Sequence, residues 1–140
     1  MGAEENKTAE RRLKEQVWDR HDPEAADEFV DPDVLEHNPM LGASQGRDGY
    51  KLALKVAFSA FPDAELVHDD LIAEGDKVVE RWTIRGTHRA AFMGIPATNK
   101  QIAIEGVDIY RYANGRRVET WSYFDRAGLM KQLGVTPAGS

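Results

Sequence analysis

Apolar residues recur along this chain with two periods, and the period changes at Pro62. Before that proline the spacing is helical. Leu13, Val17 and Trp18 lie among strong helix formers and predict an amphipathic helix over residues 7–21. Asp22 as N-cap, with Pro23 at the first helical position, predicts a short second helix ending near Asp31-Pro32-Asp33-Val34. A turn-rich stretch follows, holding a short strand at residues 34–37. Tyr50, Leu54, Ala57, Phe58 and Phe61 then predict the longest helix, which Pro62 ends.

Beyond Pro62 the pattern alternates. Residues 65–74 and 77–89 flank the turn Gly75-Asp76, and residues 100–113 and 116–125 flank Asn114-Gly115, a strong hairpin signal. The closing stretch Arg126 to Val135, apolar at Leu129, Met130 and Leu133, reads as one or two helical turns. Helices first and an antiparallel sheet afterwards predict an α+β fold, with the helices packed on one face of a curved sheet. At 140 residues, one domain spanning 1–140 is expected. The apolar run Phe92-Met93-Gly94-Ile95-Pro96, between two strands, reads as a cover over the mouth of a cavity.

Period-two spacing puts Trp121, Tyr123 and Asp125 on one strand face. A two-residue turn at Asn114-Gly115 would set Asp108 opposite Trp121 and Tyr110 opposite Glu119, and so add Asp108 to that face. Aromatic walls desolvate a carboxylate, raise its pKa and suit it to proton transfer, which makes Asp125 and Asp108 candidates. The competing reading of Asp125 is the N-cap of the segment after it. Arg81 and Arg85 share a face with Thr83, with Glu80 and Trp82 on the other. An inward Arg81 would need a carboxylate or an anionic ligand; otherwise that face is solvated. Val107, Ile109, Val118 and Phe124 form an apolar stripe opposite Asp125, which would seal a homodimer through the sheet or pack on an internal helix.

Composition then removes alternatives. A net charge of −6 without a basic cluster argues against nucleic acid as a partner. With no cysteine there is neither a thiolate metal site nor a disulfide framework. His21, His37, His68 and His88 lack the i, i+4 spacing of a helical metal pair, so no metal is expected. His37 and His88 fall where strands meet loops, and either could bond a substrate or orient an aspartate. The charged N-terminus lacks a secretory apolar core and no apolar run reaches membrane length, so no membrane partner and a cytoplasmic location are expected. No Gly-rich phosphate loop or G-x-S-x-G elbow is present, so neither a nucleotide cofactor nor a serine hydrolase is implied. Acid-base chemistry in an apolar cavity is left.

The ordered motifs "EHNP", "FPD", "AEGDKVVERWTIRGTH", "FMGIPAT", "VDIYRYANGR" and a closing W-x-x-x-D-x-x-G-L-x-x-Q-L-G span residues 7–134. In this order they resemble the SnoaL-like polyketide cyclase and ester cyclase family. That resemblance implies the cone-shaped α+β fold of nuclear transport factor two and ketosteroid isomerase. It also implies a cofactor-independent intramolecular aldol condensation with an aspartate as general base and acid. The motif places that aspartate at Asp125, and the family adds a pocket histidine that spacing assigns to neither His37 nor His88; Asp108, His37, His88 and Tyr123 are the candidate donors. Trp82, Phe92, Tyr110, Trp121, Tyr123 and Arg81 are the candidates to hold a hydrophobic or aromatic substrate. Two rival functions are a limonene-epoxide-hydrolase-like reaction, in which Arg81 orients a water, and non-catalytic binding of a small hydrophobic molecule. The first is weakened by Thr83, which stands where that enzyme class uses an acid.

Overall fold

The computed structural model describes residues 2–39 and 46–135. Helix α1 (Ala3–Leu13) begins earlier than the apolar spacing predicts and widens into a π-helical segment, Lys14–Asp19, in which Val17 is buried. Asp22 caps a 3-10 turn, Pro23–Glu28, and not a longer helix. Strand β1 (Val30–His37) takes over the segment assigned to that helix's end, because Val30 and residues 35–37 pair with a neighbouring strand and tertiary pairing overrides local propensity. Helix α2 (Gly46–Ala60) follows and ends before Pro62, as its spacing predicts.

Strands β2 (Glu65–Glu74), β3 (Lys77–Thr87), β4 (Gln101–Ala113) and β5 (Arg116–Phe124) form a meander that agrees with the alternation, and β1 adds to β5 in parallel. The sheet order is β1-β5-β4-β3-β2. Helix α3 (Arg126–Leu133) closes the chain, capped by Asp125 and ended by Gly134 in the left-handed region. Gln132 exchanges two hydrogen bonds with the backbone of Ala103, at 2.7 and 2.9 Å. These bonds continue the β4 edge past the end of β5. Buried Leu129 and Leu133 pack with Phe61, Leu66, Trp82 and Phe92, while Leu13, Val17, Phe29, Val34 and Leu54 form a second apolar cluster under the N-terminal segments.

The β4–β5 register departs from a plain two-residue hairpin. Ala113 pairs with Arg116 and Tyr112 with Arg117, but Arg111 pairs with Glu119, so Val118 is an extra residue on β5. A one-residue bulge exchanges the faces of everything beyond it. Asp108 therefore lies opposite Ser122 and Tyr110 opposite Thr120, correcting the expected pairs with Trp121 and Glu119. Among the described residues no helix is long and apolar enough to cross a membrane.

Candidate active site

The bulge decides which side chains meet under α2. Three rows cross the inner face of the sheet: Trp82, Gly106 and Phe124; Glu80, Asp108 and Ser122; and Val78, Tyr110, Thr120 and Glu36. With Leu13 and Trp18 from the N-terminal helical segments, and Tyr50 and Leu54 from α2, most of these residues line a cavity of about 150 Å³. Ile84, Ile102, Ile104 and Phe92 make one end apolar, while Glu80, Asp108, Tyr110 and Arg117 make the other polar. Gly106 is needed between them, because a Cβ there would overlap the Trp82 ring.

Asp108 is the group most altered by this setting. Burial first, and the charge of Glu80 beside it second, push its carboxyl up to about 7, against the opposing effect of Trp82, Tyr110 and Arg117. Tyr110 Oη lies 3.0 Å from Asp108 Oδ2 and 2.8 Å from Glu80 Oε1, while Asp108 Oδ1 is buried and unpartnered. Such an aspartate divides between acid and base at neutral pH.

Behind Tyr110 stands Arg117. Its guanidinium lies 3.6 Å from the centre of the Tyr110 ring and forms a two-pronged pair with Glu10 of α1. Nη2 donates to the two carboxylate oxygens at 2.7 and 2.8 Å, Nε donates at 3.0 Å, and the Tyr112 hydroxyl adds another donor. Glu10 and Arg117 are both buried, so the pair ties α1 to the sheet away from bulk solvent.

Of the residues singled out in the sequence, Asp108, Trp82, Phe92 and Tyr110 line the cavity. Asp125 does not: it is exposed, and its Oδ1 accepts from Gly128 N at 2.8 Å as the cap of α3. Trp121 and Tyr123 point to the outer face, where Ile109 and Val107 are their cross-strand partners. Phe124, expected on that outer stripe, lines the cavity. His37 is also outside, 2.7 Å from Glu119 and stacked on Trp121. His88 is fully buried, but its Nδ1 faces Thr98 and its ring stacks on Phe61. Arg81 is exposed and paired with Asp70 at 2.6 Å, which gives it the solvated-face reading.

Glu80, Arg117, Glu10 and His68 were not singled out for chemistry. Glu80 had a legible signal, a lone acid in the inward alternation Val78, Glu80, Trp82, Ile84. Glu10 shares a helix face with Leu13 and Val17. Arg117, next to a turn and after Arg116, has no such mark. Among the described residues, no three His, Cys, Asp or Glu side chains are grouped to hold a metal ion.

The profile of the SnoaL-like polyketide cyclase family matches residues 8–133. Aklanonic acid methyl ester cyclase DnrD from Streptomyces peucetius is 30% identical over 115 residues, covering 80% of this chain and 78% of that protein. Its counterpart DauD from Streptomyces sp. strain C5 is also 30% identical, over 80% of this chain and 70% of its own. Among solved structures, TsrD from Streptomyces laurentii superposes with a TM-score of 0.83 at 30% identity, covering 92% of this chain and 97% of that one.

Proposed function

This chain belongs to the SnoaL-like polyketide cyclase family, and on that premise we propose that Asp108 is its general base and acid in an intramolecular ring closure. The carrying observation is a buried carboxyl on the cavity wall, raised to about 7, with one oxygen unpartnered. Ionised Asp108 takes a proton from a carbon next to a carbonyl group. The enolate carbon attacks a second carbonyl of the same molecule, forming the ring C–C bond, and the resulting alkoxide takes the proton back from Asp108. Ser122 and Thr120, hydroxyl neighbours on the cavity wall, are placed to donate to developing oxyanions. The apolar end, with Trp82 and Phe92, suits a hydrophobic or aromatic substrate.

The test uses aklanonic acid methyl ester, the compound in the relatives' names, as probe. Only the ionised form of Asp108 can start the reaction, so kcat/KM is expected to rise with pH and level off above about 7. A rate independent of pH between about 5 and 9 would remove Asp108 from the base's role.

We also propose that a second copy covers the outer sheet face. Trp121, Tyr123, Val107 and Ile109 form an apolar patch there, and Tyr123, Ile72 and Leu35 are 52%, 60% and 51% exposed. A homodimer at micromolar concentration is the expected result in sedimentation velocity, and Tyr123→Glu should dissociate it. A monomeric wild type would overturn the assignment.

A further inference from the structure

The three tryptophans differ in what covers their rings. Trp18 meets the Phe58 ring edge-on at 5.2 Å, and His37 stacks on Trp121 at 5.2 Å. Trp82 lines the cavity, and among the described residues no ring of this chain stacks on it. Its orientation follows from Gly106, its partner across β3 and β4. A Cβ on Gly106 would strike Trp82 Cζ2 and lie 2.7 Å from each of that atom's ring neighbours, Cε2 and Cη2. Neighbours so close and so equal mean that the glycine lies under the face of the indole; an edge-on ring would carry them well back. One face of the ring therefore rests on the sheet, and the other is turned away from it, toward the cavity.

We propose that Trp82 and Gly106 form a shelf that selects planar rings: a flat ring of the substrate stacks on the indole with one edge toward Asp108, and a puckered ring fits worse. The inference deepens the reading of the cavity as a substrate site and rests on it. Asp108 lies two residues from Gly106 on the same strand face, about 7 Å along β4. A ring stacked about 3.5 Å above the indole then holds a carbonyl substituent within reach of the acid. The Trp82 side chain also acts as a donor to the Asp108 carboxyl, alongside Tyr110, so shelf and acid adjoin. Ala53 and Ala57, one turn apart on α2, line the cavity with methyl groups only and leave room for a flat body. Gly106 sets the height of the shelf, because any side chain there would lift or tilt the indole.

The probes are acetophenone and cyclohexyl methyl ketone, which differ in the flatness of one six-membered ring. Titration of the full chain, followed by nitrogen-resolved NMR, gives both affinities and tracks the three indole N–H signals. The saturated ring is the more apolar, so burial alone favours it and a preference for acetophenone reports the shelf. Acetophenone should bind about 3- to 10-fold more tightly, the added worth of an aromatic pair. It should also move the Trp82 signal more than those of Trp18 and Trp121. Trp82→Leu should bring the two affinities together, and Trp82→Phe should keep part of the preference. Gly106→Ala, which displaces the indole but leaves it in the chain, should lose the preference as well. Equal affinities in the wild type, or a preference that survives in a folded Trp82→Leu protein, would overturn the proposal. The wild-type titration decides even where a variant does not fold. Binding of neither ketone would overturn the reading of the cavity as a substrate site, and the shelf with it. None of these readouts uses turnover, so the shelf and the acid-base role of Asp108 fail separately.

Discussion

Asp108→Asn is expected to lower turnover of the probe ester by about 10²- to 10⁴-fold while leaving its affinity within a few-fold, the range associated with loss of one general base. Asparagine keeps the size of the side chain and a carbonyl oxygen toward Tyr110, so the cavity survives and only the exchangeable proton is lost. Asp125→Asn is the informative partner. Asn is as good a helix N-cap as Asp, and Asp125 lies outside the cavity, so rate and stability should both stay close to wild type. Burst-free steady-state kinetics with a direct binding measurement on each variant decides the matter. If Asp125→Asn abolishes turnover and Asp108→Asn does not, the assignment fails. If neither variant changes anything but both bind the ester, the cavity is a binding site without acid-base chemistry.

The largest effect on stability is expected at Glu10. Glu10→Ala would leave the Arg117 guanidinium buried over the Tyr110 ring with no carboxylate, and breaking a buried pair from one side costs about 3–5 kcal/mol. That is a large part of the 5–15 kcal/mol by which a typical domain is stable. The penalty comes from the charge left behind and not from the strength of the pair. Removing both partners, as in Glu10→Leu with Arg117→Met, should therefore recover most of the loss. Chemical denaturation of the two single variants and the double variant measures this. A double variant as unstable as Glu10→Ala would show that the pair itself holds α1 to the sheet.

The two predictions also show where the sequence was legible. Helices α2 and α3, the meander and the Asn114-Gly115 turn follow from spacing and turn chemistry, and the motif order points to the family before any coordinates. The candidate site was half legible. Asp108, Tyr110, Trp82 and Phe92 were named, but grouped with Trp121, Tyr123 and Asp125, which the folded chain turns away from the cavity. Ordinary alternation could not separate the two faces of β5. Inward Thr120 and Ser122 are polar because they line a polar cavity end, and outward Trp121 and Tyr123 are aromatic on the face opposite the cavity. The usual rule of apolar inside and polar outside is thus inverted along this strand.

Local sequence by itself determined the order of elements, the place of the hairpin turn and the presence of an acid among aromatic residues, because these depend on contacts a few residues apart. Tertiary structure alone decided that Val118 is an extra residue, that β1 lies parallel to β5, and that Glu10 reaches Arg117 across the chain. The physical reason is the strand period of two: a single bulged residue, too short a signal for any pattern, exchanges every later side chain between solvent and cavity. It turned Trp121, Tyr123 and Asp125 away from the cavity that Asp108 lines.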